Sequence, residues 1–375
     1  MYRLFISCGE TSGDRYAAEL LTTLQTINPN VQAFGNGGDY MKQAGVKIIE
    51  DVIQHSTIGF IEPILKVPYF LWLLKKTKEF IQKNQIKTVL IIDHQGFNIP
   101  LAKWCKKNHI QVVAFIAPQF WMWGNKKSAI QFIKTCKMVA CIFKQEYEYY
   151  QKIDEKKVVW VGHPLVGQLP IRQKKNDLIG VFPGSRKQEI SHLLPLMLDS
   201  VVTLQKAYPN LKIKIAVAST KAKEWIMPIL EARPCDIELS TDSRQLMSEA
   251  MVSIVASGTV TLEHAIVGTP CVVVYKLSPV SYWLAKQCVL KKIQNNCHGF
   301  IALPNILAKK QICPEWLQED AKKENIVDCV KAWLDHPKEV GEVEYEFKQI
   351  RNQLQEDTKP LKRLAMQLHA IMAEQ

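Results

Sequence analysis

Leu4-Phe-Ile-Ser-Cys-Gly-Glu-Thr-Ser-Gly-Asp14 decides how the chain is built. Residues 4–7 are a short apolar run, Gly9 and Gly13 mark a turn, and an amphipathic pattern follows over residues 15–26. A strand that passes through a glycine turn into a helix opens a βαβ unit. The same grammar recurs. Runs rich in Val and Ile at 88–92, 111–116, 138–143 and 158–161 read as strands buried on both faces, with helical patterns at 101–108 and 145–152 among them. It resumes with runs at 178–182, 213–218, 252–256 and 271–275. This alternation implies an α/β fold with mostly parallel sheets.

Between the two series lies Gly162-His-Pro-Leu-Val-Gly-Gln-Leu-Pro170, followed by Arg172, Lys174 and Lys175. Two prolines, two glycines and a basic cluster predict a linker. The expected organisation is a Rossmann-like domain over residues 1–165, a second over 166–345, and a polar helical tail over 346–375. Two doubly wound domains facing each other would leave a cleft where the C-terminal ends of both sheets open. The length of 375 residues suffices for two or three domains, each with its own core.

The chain carries 48 Lys and Arg against 36 Asp and Glu, a formal net charge of +12. That excess predicts an anionic partner: nucleic acid, a phosphorylated metabolite or an acidic membrane surface. No stretch reaches the ~20 apolar residues that a membrane-spanning helix needs, and the N-terminus lacks the apolar core of a signal peptide. The ten cysteines include no Cys-x-x-Cys pair, and there is no His-Glu-x-x-His. The expectation is a cytoplasmic protein with reduced thiols, no metal and no cofactor.

Several strand ends carry polar residues suited to chemistry. Gly9 to Asp14 reads equally as a tight structural turn or as a ligand loop at a helix N-terminus, and Asp14 equally as a plain helix cap. Asp93, in Ile91-Ile-Asp-His-Gln-Gly-Phe-Asn98, is either a general base with a pKa raised by burial or the cap of a helix starting near Pro100. In the second half Phe182-Pro-Gly-Ser-Arg186 leaves a strand: Gly184 permits close approach, Ser185 offers a hydroxyl and Arg186 a planar fork suited to phosphate. Ala256-Ser-Gly-Thr259 repeats that design with Glu263 one helical turn on, so Ser257, Gly258 and Thr259 face phosphates and Glu263 a ribose. Segments 58–74 and 280–293 combine Trp, Tyr and aliphatic residues with lysines. Each reads either as a buried helix with a solvated basic edge or as a surface for anionic lipid.

In order along the chain stand Gly9-Glu-Thr-Ser-Gly-Asp14, Gly59-Phe-Ile-Glu-Pro63, Asp93 with Phe97-Asn98, Ala117-Pro-Gln-Phe-Trp-Met-Trp123 and Val161-Gly-His-Pro-Leu165. Pro183-Gly-Ser-Arg186, Ala256-Ser-Gly-Thr259 with Glu263, Tyr275-Lys276, Tyr282-Trp-Leu-Ala-Lys286 and Leu303-Pro-Asn305 follow. Over about residues 3–320 this set resembles the lipid-A-disaccharide synthases of Gram-negative bacteria. The resemblance implies a GT-B glycosyltransferase, with UDP held by the C-terminal domain. Such an enzyme joins UDP-2,3-diacylglucosamine to the 6-hydroxyl of 2,3-diacylglucosamine 1-phosphate with inversion, giving a β-1,6 disaccharide 1-phosphate and UDP. Carried over by position, Asp93 is the base and Arg186 stabilises the diphosphate. Gly184, Ser185, Ser257, Gly258, Thr259, Glu263 and Asn305 hold UDP, while Glu10, Ser12, Asp14, Gln119 and His163 line the acceptor side. The implied setting is peripheral, on the inner face of the cytoplasmic membrane, with anionic lipid as partner, a homodimer as a candidate assembly, and nucleic acid the least favoured use of the charge.

One motif departs from the family. Its usual Ile-Asp-x-Pro-Asp-Phe-Asn is here Asp93-His-Gln-Gly-Phe-Asn98, so Gly96 replaces a second carboxylate and His94 is a candidate for part of the lost polarity. Phe120 and Met122 are also larger than usual. Other readings are a different UDP-sugar GT-B enzyme, such as a MurG-like transferase or a non-hydrolysing epimerase, and a catalytically impaired paralogue that binds UDP-sugar or lipid.

Overall fold

The computed structural model describes residues 2–53, 66–123, 125–173, 177–233, 236–278, 282–283, 290–355 and 359–374. They form two compact units, Met1–Pro164 with Leu354–Gln375, and Leu165–Gln353.

The first unit runs β1 (Tyr2–Ser7), α1 (Thr11–Ile27), β2 (Val31–Gly37), α2 (Asp39–Gln43), β3 (Lys47–Asp51), α3 (Val67–Lys83) and β4 (Thr88–Ile92). It continues through α4 (Gln95–Lys107), β5 (Gln111–Phe115), α5 (Phe120–Trp123), α6 (Lys126–Thr135), β6 (Met138–Cys141), α7 (Lys144–Gln151) and β7 (Val158–Trp160). Its sheet has the order β3-β2-β1-β4-β5-β6-β7, all parallel. Phe5, Ile6, Leu90, Ile92, Val113 and Phe115 are fully buried, as strands covered by helices on both faces must be. α1 turns Tyr16, Ala17, Leu20, Leu21 and Leu24 inward at helical spacing. Each buried Leu contributes about 1.5–3 kcal/mol.

The second unit runs β8 (Leu178–Phe182), α8 (Lys187–Ala207), β9 (Lys212–Ala216), α9 (Thr220–Glu231), β10 (Glu238–Ser240), α10 (Ser243–Glu249) and β11 (Val252–Ala256). Next come α11 (Thr259–Val267), β12 (Cys271–Tyr275), α12 (Leu290–Asn296), α13 (Leu303–Ala308), β13 (Glu315–Leu317), α14 (Lys323–Asp335) and α15 (Pro337–Leu354). Its parallel sheet has the order β10-β9-β8-β11-β12-β13. The segment read as a linker is fastened to this unit. The Arg172 guanidinium donates to the carbonyls of Gly268 (3.2 Å) and Met251 (2.5 Å) and pairs with Glu344.

The tail expected over 346–375 divides between the units, because α16 (Pro360–Ala373) has its own apolar face to cover. Leu361, Leu364, Ala365, Leu368, Ile371 and Met372 are buried, and Asn28 Nδ2 lies 3.1 Å from His369 Nε2 where this helix meets α1.

In each sheet the strand order reverses direction at one place, between β1 and β4 and between β8 and β11. At such switch points the loops leave in opposite directions and open a crevice for a ligand. The stretch from Gly9 and the loop at Asp93 flank the first; Gly184 to Arg186 and Ser257 to Gly258 flank the second.

Candidate active site

At the first switch point Asn98 holds the ends of β1 and β4 together. Its Oδ1 accepts the Ser7 hydroxyl at 2.7 Å, and its Nδ2 donates to the carbonyls of Asp93 (2.8 Å), Ile92 (3.2 Å) and Ser7 (3.3 Å). Consecutive left-handed residues follow β4, Asp93 at φ 46° and His94 at φ 47°, and Ile116, just past β5, has φ 59°. Such conformations cost about 1–3 kcal/mol each and persist only where the surroundings enforce them. They gather here around a small hollow lined by Ile91, Asp93, Gln95, Asn98, Ile116 and Pro118, among others.

α4 begins at Gln95, five residues before Pro100, and its N-cap is His94, with no side-chain cap bond. The capping role for Asp93 therefore falls away. The half-buried Asp93 carboxyl is raised to about 6, first by burial and then by the negative Glu10 across the switch point, against the opposing His94 N–H. A carboxylate with that pKa takes a proton near neutral pH more readily than an ordinary one.

The remaining first-unit residues differ in what they offer. Glu10, Ser12 and Gln119 stand half-buried at the same sheet edge. Asp14 does not: it lies inside α1, and its carboxylate accepts the N–H groups of Gly38 (2.7 Å), Tyr40 (3.0 Å) and Met41 (3.3 Å). It caps α2. His163 is buried against the rings of Phe143 and Tyr16, and burial lowers it to about 3, so the ring is neutral.

His94 does not restore polarity. Its ring stacks on Phe97, meets Phe70 edge-on and lies so close to Gly9 that a Cβ there would sit 2.3 Å from it. Burial lowers it to about 4, leaving a neutral aromatic filler. Gly96 is exposed, and a Cβ on it would meet nothing within 4 Å, so the family's second carboxylate is lost without repacking.

Sequence reasoning missed Glu146. It is 1% exposed, accepts the N–H groups of Ile142 (2.8 Å) and Phe143 (3.4 Å), and ties the end of β6 to the start of α7. Burial raises it to about 8, with the Asp93 charge adding to the rise and the N–H donors of Ile142, Phe143 and Ala117 opposing it. The signal was a Glu three residues after the helix N-cap, Phe143, without the Ser or Thr that makes a capping box recognisable.

At the second switch point two helices start side by side, α8 after Arg186 and α11 after Gly258, and neither has a side-chain cap bond. Helix starts of this kind present N–H groups and a positive dipole end to an anion. Gly184 has φ +101°, a conformation that favours glycine. The Arg186 guanidinium is one-third exposed and Nη1 donates to Glu189 at 3.2 Å. Ser257 and Glu263 are half-buried, and Gly258 and Thr259 are exposed. The half-buried Tyr275, at the end of β12, has its hydroxyl pKa raised by burial and by Glu189 and lowered by Arg186.

Asn305, expected at the donor site, is hydrogen-bonded within the fold. It is fully buried, its Oδ1 accepts the N–H groups of Ile312 (2.7 Å) and Cys313 (2.9 Å), and its Nδ2 donates to the Cys313 carbonyl and Glu315, each at 2.7 Å. It ties α13 to the segment that leads into β13.

A family model described as lipid-A-disaccharide synthetase matches residues 4–368. The chain belongs to the lipid-A-disaccharide synthase family. Among curated members, the enzyme of Trichlorobacter lovleyi is 33% identical over 86% of each chain. That of Xylella fastidiosa is 31% identical over 94% of each. As a member of the lipid-A-disaccharide synthases the chain is a hexosyltransferase. Solved structures with the same fold are more distant. They include Staphylococcus aureus MnaA with UDP (TM-score 0.64, 12% identity, 100% of this chain and 98% of that one). A second is the Neisseria meningitidis UDP-GlcNAc 2-epimerase bound to UDP-GlcNAc (TM-score 0.59, 11% identity, 100% of each chain). The fold is α/β of the GT-B class, with two doubly wound Rossmann-like units. Among the described residues no group of His, Cys, Asp and Glu is arranged to hold a metal ion, and no helix is long and apolar enough to cross a membrane.

Proposed function

We propose that this chain transfers the diacylated glucosamine of UDP-2,3-diacylglucosamine to the 6-hydroxyl of 2,3-diacylglucosamine 1-phosphate with inversion. Asp93 takes the hydroxyl proton as that oxygen forms its bond to the anomeric carbon. The bond from that carbon to the diphosphate breaks, and UDP leaves with the electron pair. Arg186 and the N–H groups at the starts of α8 and α11 hold the charge that develops on the diphosphate. Ser185, Ser257 and Thr259 supply further donors, and Glu263 accepts from the ribose. Glu10, Ser12 and Gln119 line the acceptor side.

The observation that carries this reading is Asp93 itself, fixed in a left-handed turn at the first switch point and raised to about 6. A positioned base of this kind contributes about 10²–10⁴ in rate. The relatives' shared name supports the substrates.

Exposed residues of α3 support work at a membrane surface. Val67, Leu71 and Trp72 project outward, while Leu73, Thr77 and Ile81 on the other side are buried. Lys75 is exposed beside them, and Lys76 Nζ lies 4.8 Å from the Trp72 ring centre. Rings and ammonium groups together suit anionic headgroups. Trp283 is also exposed; positions 58–65 and most of 280–293 lie outside the described residues.

The test is incubation of the purified protein with both diacylglucosamine substrates. Equal amounts of UDP and β-linked disaccharide 1-phosphate are expected. UDP binding without disaccharide would contradict the reading and favour an impaired paralogue.

A further inference from the structure

Glu189 stands three residues into α8 and turns back over the loop that opens the helix. Its Oε2 accepts the Ser185 N–H at 3.1 Å, and its Oε1 accepts from Arg186 Nη1 at 3.2 Å. The carboxylate lies so close over Gly184 that a Cβ there would sit 2.3 Å from Oε2. The side chain is 12% exposed, and Tyr275 lies within reach of its charge. A carboxylate therefore sits on an N–H group and a guanidinium at the switch point, where a helix start and a basic fork favour an anion.

A plain helix cap has another geometry. In a capping box the third residue of the helix accepts the N–H of the N-cap residue, here Arg186. Glu189 reaches one residue further back, to Ser185, and binds the Arg186 side chain as well. Those are the two donors that the proposed reaction assigns to the donor's diphosphate.

We propose that Glu189 is a built-in competitor for the diphosphate seat, a positioning residue whose charge weakens UDP and favours its release after transfer. This rests on the proposed UDP site. A UDP diphosphate that takes the Ser185 N–H and Arg186 must displace the carboxylate or endure its repulsion at close range, and uridine alone meets neither cost.

The experiment is calorimetric titration of the full chain with UDP and with uridine, for wild type and for Glu189→Gln, which keeps an acceptor for Ser185 and loses the charge. UDP should bind the variant about tenfold more tightly, equivalent to about 1.4 kcal/mol at 25 °C, with uridine unchanged. Equal or weaker UDP binding by the variant, or an equal gain for uridine, would overturn the proposal. Failure of wild type to bind UDP would instead remove the donor-site reading beneath it. A crystal structure of the wild-type chain with UDP gives an answer that does not depend on the variant's folding. The Glu189 carboxylate should have left Ser185 N and Arg186, and contacts unchanged from 3.1 and 3.2 Å would refute the competition.

Discussion

Replacing Asn98 by Ala removes four hydrogen bonds at once, one accepted from the Ser7 hydroxyl and three donated to carbonyls at the ends of β1 and β4. Each buried polar group left without a partner costs about 1–3 kcal/mol, and water entering the vacated space restores part of that. The left-handed turn at Asp93 and His94 then relaxes, which returns about 1–3 kcal/mol for each residue that leaves it. The net loss of stability should be about 2–4 kcal/mol, seen as a lower urea midpoint for the first unit. The larger consequence is kinetic. A displacement of about 1 Å costs on the order of 10²-fold in a reaction that depends on a positioned base, so kcat should fall by that factor. UDP affinity should be unchanged, because its proposed donors belong to the second unit. Stability within 0.5 kcal/mol of wild type (the ordinary ~0.5 kcal/mol scatter of surface changes), together with full turnover, would refute the assignment of Asn98 as the support of Asp93.

Three further outcomes follow from the same geometry. The acid limb of the kcat/KM profile should lie near pH 6, with rate falling below it as Asp93 is protonated, and Glu10→Gln should move that limb to lower pH by removing a neighbouring negative charge. Glu146 is raised from an ordinary carboxyl value to about 8 in the folded chain, so its contribution to stability is full below about pH 4.5 and is lost as pH rises to 8. Denaturant melts should therefore show wild type losing stability between those values, and Glu146→Gln should flatten the slope. On vesicles of phosphatidylglycerol and phosphatidylethanolamine, Leu71→Glu with Trp72→Glu should weaken flotation by about tenfold or more, and unchanged flotation would remove α3 from the membrane surface.

The parts of the fold legible in the sequence are those where burial dictates composition. Central strands such as β4, β5, β11 and β12 lie under helices on both sides, so Val and Ile runs announce them. The strands that stayed hidden for the complementary reason, β2, β3, β10 and β13, lie at or near sheet edges. β3 carries Lys47, Glu50 and Asp51, β10 and β13 have three residues each, and β2 ends in Gly-Asn-Gly, so none shows an apolar run. The start of α4 was misread because His94 begins it from a left-handed residue, a conformation no propensity favours for His.

At the candidate site the sequence located loops better than roles. Asp93 drew notice as a charged residue directly after an apolar strand, and Arg186 as the basic fork of the loop that follows another. Asp14 was read as an acceptor contact or a plain helix cap and Asn305 as a donor contact; in the fold their polar atoms bond to α2 and to residues 312–315. Only the fold brings those distant partners near. Glu189, Glu146 and Asn98 were passed over because their importance lies in what they bond to.

The most direct test of the account compares Asp93→Asn with wild type, measuring UDP affinity and single-turnover disaccharide formation on the same preparations. Asparagine keeps the size and polarity of the side chain but cannot take a proton. UDP affinity should be unchanged while turnover falls by about 10²–10⁴ at pH 7.5. A variant that forms disaccharide at the wild-type rate would contradict the claim that Asp93 is the base.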